Sequence, residues 1–529
     1  MEKNAIYSGN SAIDSAYHTA EWLITAFAGT LVFIVFVMQV YRIPTGSMAD
    51  TLRGAHFRVR CAACGYAYNH DFIAAQYGLS DTYTPSRQYA IKHRVRTQPG
   101  APEAYISSRC PTCGYYEPPI FRDSTGEYSI EHNRKKAPHM RTVFKGDQIF
   151  VLKSVYQFFE PKRWDVIVFK NPTEPRINYI KRCIGLPNET VQIVDGDVYV
   201  DGRIQRKPDK VQEELWMIVY DNDFQPIDPQ LKQYNGHTWK QPFEPVSNAA
   251  WQLAADGPTV FALQSDDKTV QRIRYNDQIG TGFRATYAYD TPLNYSVMPV
   301  CSDLMIRYYL DLHEDAAAGA QITKYGIDYQ GWLDADGTMK LIRLTPAGQP
   351  QVLAEGRCRT EDLHQTTQFR FAALDHQVIL EYGPAKLVYD LGAGMDDAGT
   401  QREKGPAVQI LGSGSLRLEH IAIYRDIHYI AEPEVMDVQR GTLDKPMVLG
   451  DDEYFACGDN SPFSADSRIW KSQGLGNNNL AYPAGVVPKD YLVGKGLIVH
   501  WPGGYRVGKE PLRWIPNVDG MKIIYGGKD

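Results

Sequence analysis

Ile43-Pro44-Thr45-Gly46-Ser47-Met48-Ala49-Asp50-Thr51-Leu52 stands one residue beyond twenty uncharged residues, Trp22 to Tyr41. A hydroxyl on a Gly-preceded turn beside such a segment is a poor structural device and a well-placed nucleophile. A helix of twenty residues spans about 30 Å, the thickness of bilayer hydrocarbon. Trp22 and Tyr41 stand at its two ends, where interfacial aromatics belong. The expectation is a retained transmembrane helix over 22–41, after a short segment 1–21. A cleaved signal peptide would show a shorter apolar run and a small-residue exit, and Val40-Tyr41-Arg42 is not one. Charge does not orient the span: Lys3 precedes it, while Arg42, Arg53, Arg58 and Arg60 follow it.

Working outward, 529 residues allow about three domains, and 43% hydrophobic with 22% charged residues describes a folded chain. A net charge of -6 gives no reason to expect nucleic acid as a partner. The eight cysteines are too sparse for a disulfide scaffold, so their grouping matters more. Cys61-Ala-Ala-Cys64-Gly65 and Cys110-Pro-Thr-Cys113-Gly114 make two Cys-x-x-Cys-Gly knuckles with 45 residues between them. Four thiolates suit tetrahedral Zn²⁺, and two disulfides are the competing reading. Either role is structural. Cys301 and Cys358 could also pair.

From Val143 onward short alternating strands take over. Lys145 to Lys153 and Arg163 to Phe169 each read as a turn then a strand, Tyr179 to Glu189 as a strand ending in a Pro-Asn turn, and Val191–Val194 with Val198–Val200 flank a hairpin turn at Asp195-Gly196-Asp197. Between Ile204 and Leu443 the alternation of Leu304, Ile306, Tyr308, Leu310 and Leu312 marks one face of a strand. So does that of Phe369, Phe371 and Ala373, and of Val378, Leu380 and Tyr382. Many regularly spaced strands suggest a two-sheet sandwich, loosely resembling concanavalin A-like jelly rolls. The expected fold is mainly β. It comprises the helix, a core in three parts (42–60, 143–203, 444–529), a zinc-ribbon-like insert (61–142) and a β-sandwich insert (204–443).

Hydrolysing a peptide bond needs a nucleophile, a base and donors for the oxyanion. Ser47 is the candidate nucleophile. No histidine falls in a recognisable partner context, which leaves lysine. An ordinary lysine is protonated at neutral pH, but burial among apolar neighbours removes that preference. Lys181 sits on a strand among Tyr179, Ile180, Cys183 and Ile184. By strand alternation Lys181 and Arg182 face opposite sides, so that one can be buried while the other is not. Thr45, with the Ser47 N–H, is the candidate oxyanion donor. Gly458-Asp459-Asn460-Ser461-Pro462-Phe463-Ser464-Ala465-Asp466-Ser467-Arg468 is a dense polar loop, in which Ser464 could orient the lysine and Asp466 could pair with Arg468.

Together these residues resemble bacterial type I signal peptidases. The motifs are Ser47-Met48, Gly146-Asp147, Lys181-Arg182 with Gly185-Leu186-Pro187, and Gly458-Asp459-Asn460 with Ser464-Ala465-Asp466-Ser467-Arg468. They cover well under half of the chain. Asp50 stands where that family often has Pro, and Asn188 where Gly is usual. The resemblance implies that Ser47 is the nucleophile and Lys181 the general base. Ser464 would hold Lys181, Thr45 would complete the oxyanion hole, and Asp459, Asp466 and Arg468 would support the site. It further implies an all-β core on the outer face of the bacterial cytoplasmic membrane, a single-pass anchor and no catalytic cofactor. The substrates would be secretory preproteins cut after small residues, near the translocation machinery. A membrane-tethered binding protein built on a peptidase-derived frame, and a self-cleaving Ser/Lys regulator, are the alternatives.

Overall fold

The computed structural model describes residues 11–73, 108–116, 143–229, 238–501 and 520–527, apart from short stretches at 248, 255–256, 266–267, 291–296 and 478–479. Expectations placed on 1–10, on 74–107 and 117–142 of the cysteine insert, and on 502–519 lie outside the described residues.

The apolar N-terminal run is α-helix over Ser11–Val32 and π-helix over Phe33–Val37, then turns into a strand, Met38–Arg42. The helix expected over 22–41 is therefore corrected at both ends. It starts at Ser11, and it gives up Met38–Tyr41 because those residues pair with Gln148–Leu152, from Met38 opposite Leu152 to Arg42 opposite Gln148. The apolar helical part that remains, Trp22–Val37, is about 24 Å long, short of about 30 Å of hydrocarbon. No helix among the described residues is long and apolar enough to cross a membrane. Its large side chains, Trp22, Leu23, Ile24, Phe27 and Phe36 among them, are exposed.

One antiparallel sheet gathers strands from two of the expected core parts, 143–203 and 444–529, and adds Met38–Arg42 at its edge. In order they are Met38–Arg42, Gln148–Leu152, Leu492–Trp501, Val166–Asn171, Glu174–Gly185, Glu453–Cys457 and Val487–Pro488, with Lys522–Ile523 paired to Leu492–Trp501. Alternation assigns the faces. Val166 and Val168 pack with Ile43, Met48, Leu52, Ile149 and Val151 on one side. Ile167 and Phe169 pack with Cys183, Tyr454 and Ala456 on the other. Both faces are covered, so a polar side chain on either must find a partner inside the protein. A hairpin of Thr190–Val194 and Asp197–Val200 adjoins this sheet. Asp195 and Gly196 turn it with φ of 51° and 84°, the left-handed pair a two-residue hairpin needs.

Between the hairpin and Glu453, an eight-stranded and a seven-stranded sheet share one core. Leu304, Ile306, Tyr308, Leu310, Phe369 and Phe371 of one meet Ala318, Ile322, Tyr329, Val408 and Ile410 of the other. The Tyr308 and Phe369 rings stack at 4.7 Å. Cys301 and Cys358 are unpaired.

The cysteine module is a three-stranded sheet, His56–Arg60, Ala67–Asp71 and Val143–Phe144, with the two knuckles beside it. Gly65 N–H and Gly114 N–H turn back onto the Cys61 and Cys110 carbonyls at 2.9 and 3.0 Å. The Sγ atoms of Cys61 and Cys113, and those of Cys64 and Cys110, lie 3.7 Å apart. A disulfide would need about 2.05 Å, whereas ligands about 2.3 Å from a tetrahedral Zn²⁺ stand about 3.8 Å from one another. The donor set fits the metal.

Candidate active site

Ser47 sits on a turn between Ile43 and Arg53 that is held at both ends by one residue. The Asp147 carbonyl accepts Ile43 N–H at 2.9 Å, its N–H donates to the Arg53 carbonyl at 2.9 Å, and its carboxylate accepts Arg53 N–H at 2.9 Å. A Cβ on Gly146 would collide with the Ile43 carbonyl. Gly146-Asp147 thus closes the Ser47 loop, a task its distance in sequence conceals. Within the loop Ala49 N–H donates to the Gly46 carbonyl at 2.9 Å and Leu52 N–H to the Met48 carbonyl at 2.7 Å. Met48 and Leu52 are buried while Ser47 is half-buried and Thr45 exposed.

Lys181 lies on Glu174–Gly185, opposite Ile167. Its Nζ is 2.7 Å from Ser47 Oγ and 3.0 Å from the Ile180 carbonyl. The side chain is 4% exposed. Burial, only partly opposed by the carboxylates of Asp466 and Asp459, lowers its pKa from 10.5 to about 8. Arg182 is not the exposed neighbour that strand alternation suggested. It is fully buried on the opposite face, where it grips both Asp459 oxygens at 2.8 and 2.6 Å and the Trp164 carbonyl at 2.9 Å. The sheet is covered on both sides at Lys181 and Arg182, so both cations are packed and each has its own partners.

The polar loop begins where Glu453–Cys457 ends, with Cys457 opposite Arg182, which delivers Asp459 to that guanidinium. Asp466 and Arg468 pair through two contacts of 2.9 and 2.7 Å, and Asp466 also accepts Gly458 N–H at 3.0 Å. Burial raises the Asp466 carboxyl, but the Arg468 guanidinium outweighs it and holds the group below the usual carboxylate range. Arg468 further donates to the Ile430 carbonyl and to Ser461 Oγ. Ser464 is buried beside Asp466, and no hydrogen bond joins its Oγ to Lys181 among the described residues. It stands instead against Gly458, where a Cβ would strike both Ser464 Oγ and the Ser47 carbonyl. Only glycine lets the loop approach Ser47 this closely.

Several groups at the site carry no sequence signal of their role. Asn460 N–H donates to the Ser47 carbonyl at 3.1 Å, and its Nδ2 to the Gly46 carbonyl at 3.1 Å. Tyr287 Oη donates to the Asp459 carbonyl at 2.8 Å. The Tyr289 ring fills the space where a Gly46 side chain would be. Tyr287 and Tyr289 arrive from the long insert, where nothing in the sequence marks them. Asp147 and Asn460 lie within recognised motifs, and turn chemistry alone could have singled them out.

The Ser47 hydroxyl, a buried amine and two buried carboxylate–guanidinium pairs thus meet around the strand Glu174–Gly185 of the core sheet. Comparison with known proteins bears on the same elements. The signal peptidase, peptidase S26 family matches residues 131–242 and 419–501. These segments hold Lys181, Asp459, Ser464, Asp466 and Arg468, while Ser47 and Thr45 lie outside them. Signal peptidase I of Leptolyngbya laminosa is 36% identical over 118 residues, 18% of this chain and 54% of that protein. Signal peptidase I T of Bacillus subtilis (strain 168) is 34% identical over 90 residues, 16% of this chain and 46% of that protein. The chain thus spans about half the length of these curated relatives. Among solved structures, the laminarinase from Rhodothermus marinus overlaps 40% of this chain and 98% of its own at 8% identity, with a TM-score of 0.25, too weak a likeness to bear an argument. The segments that this family model matches, 131–242 and 419–501, are those that carry the buried amine and the polar loop.

Proposed function

We propose that this chain is a membrane-anchored serine endopeptidase that removes N-terminal signal peptides from exported preproteins, with Ser47 and Lys181 as its dyad. The observation that carries the reading is the 2.7 Å approach of a buried Lys181 Nζ to Ser47 Oγ. The neutral amine takes the hydroxyl proton as Oγ attacks the scissile carbonyl carbon. The tetrahedral oxyanion is held by Ser47 N–H and Thr45 Oγ1. The ammonium then protonates the departing amine, the C–N bond breaks, and the signal peptide remains as an ester on Ser47. Water, deprotonated by the same amine, releases it. No cofactor enters these steps.

Ser464 packs against Gly458 beside Ser47, while Asp459, Asp466 and Arg468 hold that loop rigid. Cys61, Cys64, Cys110 and Cys113 would hold one structural Zn²⁺, which fixes the turn-rich module where a larger apolar core is lacking. The exposed apolar run Trp22–Val37 is the membrane contact, and it sets the sheet at the outer surface of the cytoplasmic membrane, where preproteins emerge.

The test is incubation of the detergent-solubilised full chain with an exported precursor, followed by N-terminal sequencing of the product. Cleavage after a small residue is expected, and it is abolished by Ser47→Ala and by Lys181→Met. Parental cleavage by either variant would falsify the dyad.

A further inference from the structure

The Gly46–Ser47 peptide is planar, so whatever fixes the Gly46 carbonyl also fixes the opposite-pointing Ser47 N–H. That N–H is the backbone donor of the proposed oxyanion site. Ala49 N–H and Asn460 Nδ2 both donate to the Gly46 carbonyl, and Asn460 N–H holds the Ser47 carbonyl. Asn460 therefore grips the peptides on both sides of the Ser47 Cα.

The Asn460 side chain is itself held from outside the core. Its Nδ2 donates at 2.7 Å to Asp290 Oδ1, a residue of the long insert. Asp290 is 7% exposed and Asn460 1%. Neither Asn460 Oδ1 nor Asp290 Oδ2 has a hydrogen bond among the described residues, so the contact between the two side chains rests on this single bond. An amide that donates both protons, one to each acceptor, has no rotational freedom left.

We propose that Asp290 is a positioning residue for the hydrolysis: it orients Asn460, which orients the Gly46–Ser47 peptide and thereby the oxyanion donor. The inference rests on the reading of Ser47 as nucleophile. It makes the long insert a working part of the site and not only a spacer. Asp290 touches no reacting atom and acts only through Asn460. Burial, with the nearby Asp71 and Asp50 carboxylates adding to it, raises the Asp290 carboxyl well above its ordinary range.

The experiment compares the full chain with Asp290→Ala, Asp290→Asn and the exchanged pair Asp290→Asn/Asn460→Asp. It reads kcat and KM on a precursor peptide, melting temperature, and amide hydrogen exchange of the segment 43–53. Asp290→Ala should lower kcat at least tenfold with KM within about twofold, and should speed exchange of that segment. Asp290→Asn keeps the acceptor and should retain at least half of the parental kcat. The exchanged pair restores a hydrogen bond between the two side chains but removes the side-chain donor to the Gly46 carbonyl, leaving only Ala49 N–H on it. It should melt within a few degrees of the parent and still lose at least tenfold in kcat.

Should Asp290→Ala fail to fold, the exchanged pair decides. Parental kcat in either Asp290→Ala or the exchanged pair, or unchanged exchange over 43–53 in Asp290→Ala, overturns the proposal. A parental chain that cleaves no precursor refutes the peptidase reading, and the exchange measurement then still decides whether Asp290 orders the turn.

Discussion

The pH dependence of cleavage follows from the burial of one amine. A free lysine at 10.5 leaves about one molecule in three thousand neutral at pH 7, and a group at about 8 leaves about one in ten. The ratio, about 300-fold, is equivalent to about 3 kcal/mol of differential solvation. The kcat/KM of the free enzyme should therefore rise tenfold per pH unit below about 8 and level off above it. In kcat the limb should lie lower still, because a bound peptide removes further water from Nζ. Stability shows the same linkage. Between pH 8 and 10.5 the unfolded chain binds the Lys181 proton and the folded chain does not, so stability rises with pH across that window. The assay is initial-rate cleavage of a fluorogenic precursor peptide from pH 5.5 to 9.5. A flat profile between pH 6 and 8, or a limb near 6.5 set by a histidine, would refute the reasoning.

Gly458→Ala drives a methyl group into both Ser464 Oγ and the Ser47 carbonyl, so it should lower kcat at least a hundredfold while the sheet stays folded, as checked by circular dichroism. Asp459→Asn leaves the Arg182 guanidinium buried without its charge partner and should cost about 3–5 kcal/mol in urea unfolding. Elemental analysis should find one zinc per chain. Its removal by a chelator should lower the melting temperature of the cysteine module without the new disulfides that thiol titration would detect. Deleting residues 11–37 should release the chain from membranes in a flotation assay while cleavage of a soluble precursor peptide persists.

Much of this was legible because local chemistry carries it. The Asp195-Gly196 turn, the left-handed Asn188 at φ 66° and the two knuckles are written in adjacent residues. The alternation of Leu304, Ile306, Tyr308 and Leu310 returned the buried face of its strand. What misled was longer in range. Met38–Tyr41 is apolar enough for a helix, yet its ladder with Gln148–Leu152 outweighs that preference. Arg182 reads as a surface neighbour of Lys181 until Asp459, 277 positions away, supplies a buried partner. Ser464 packs against Gly458, a contact that nothing in the local sequence announces.

The inserts show why a motif search stops short of the site. Tyr289 blocks any side chain at Gly46, its carbonyl accepts Asp71 N–H at 2.8 Å, and its Oη reaches the Ala55 carbonyl. Asp71 belongs to the cysteine module, so both inserts meet directly behind the nucleophile turn. A serine on an isolated turn would wander by more than the few tenths of an ångström that proton transfer tolerates. Here Asp147 closes the turn at its base, Asn460 fixes its tip, and the two inserts wall its back. Each contact is a modest hydrogen bond of about 1 kcal/mol. They act together because they restrain the same two peptide planes, so loosening any one of them should be felt first in turnover and only later in stability.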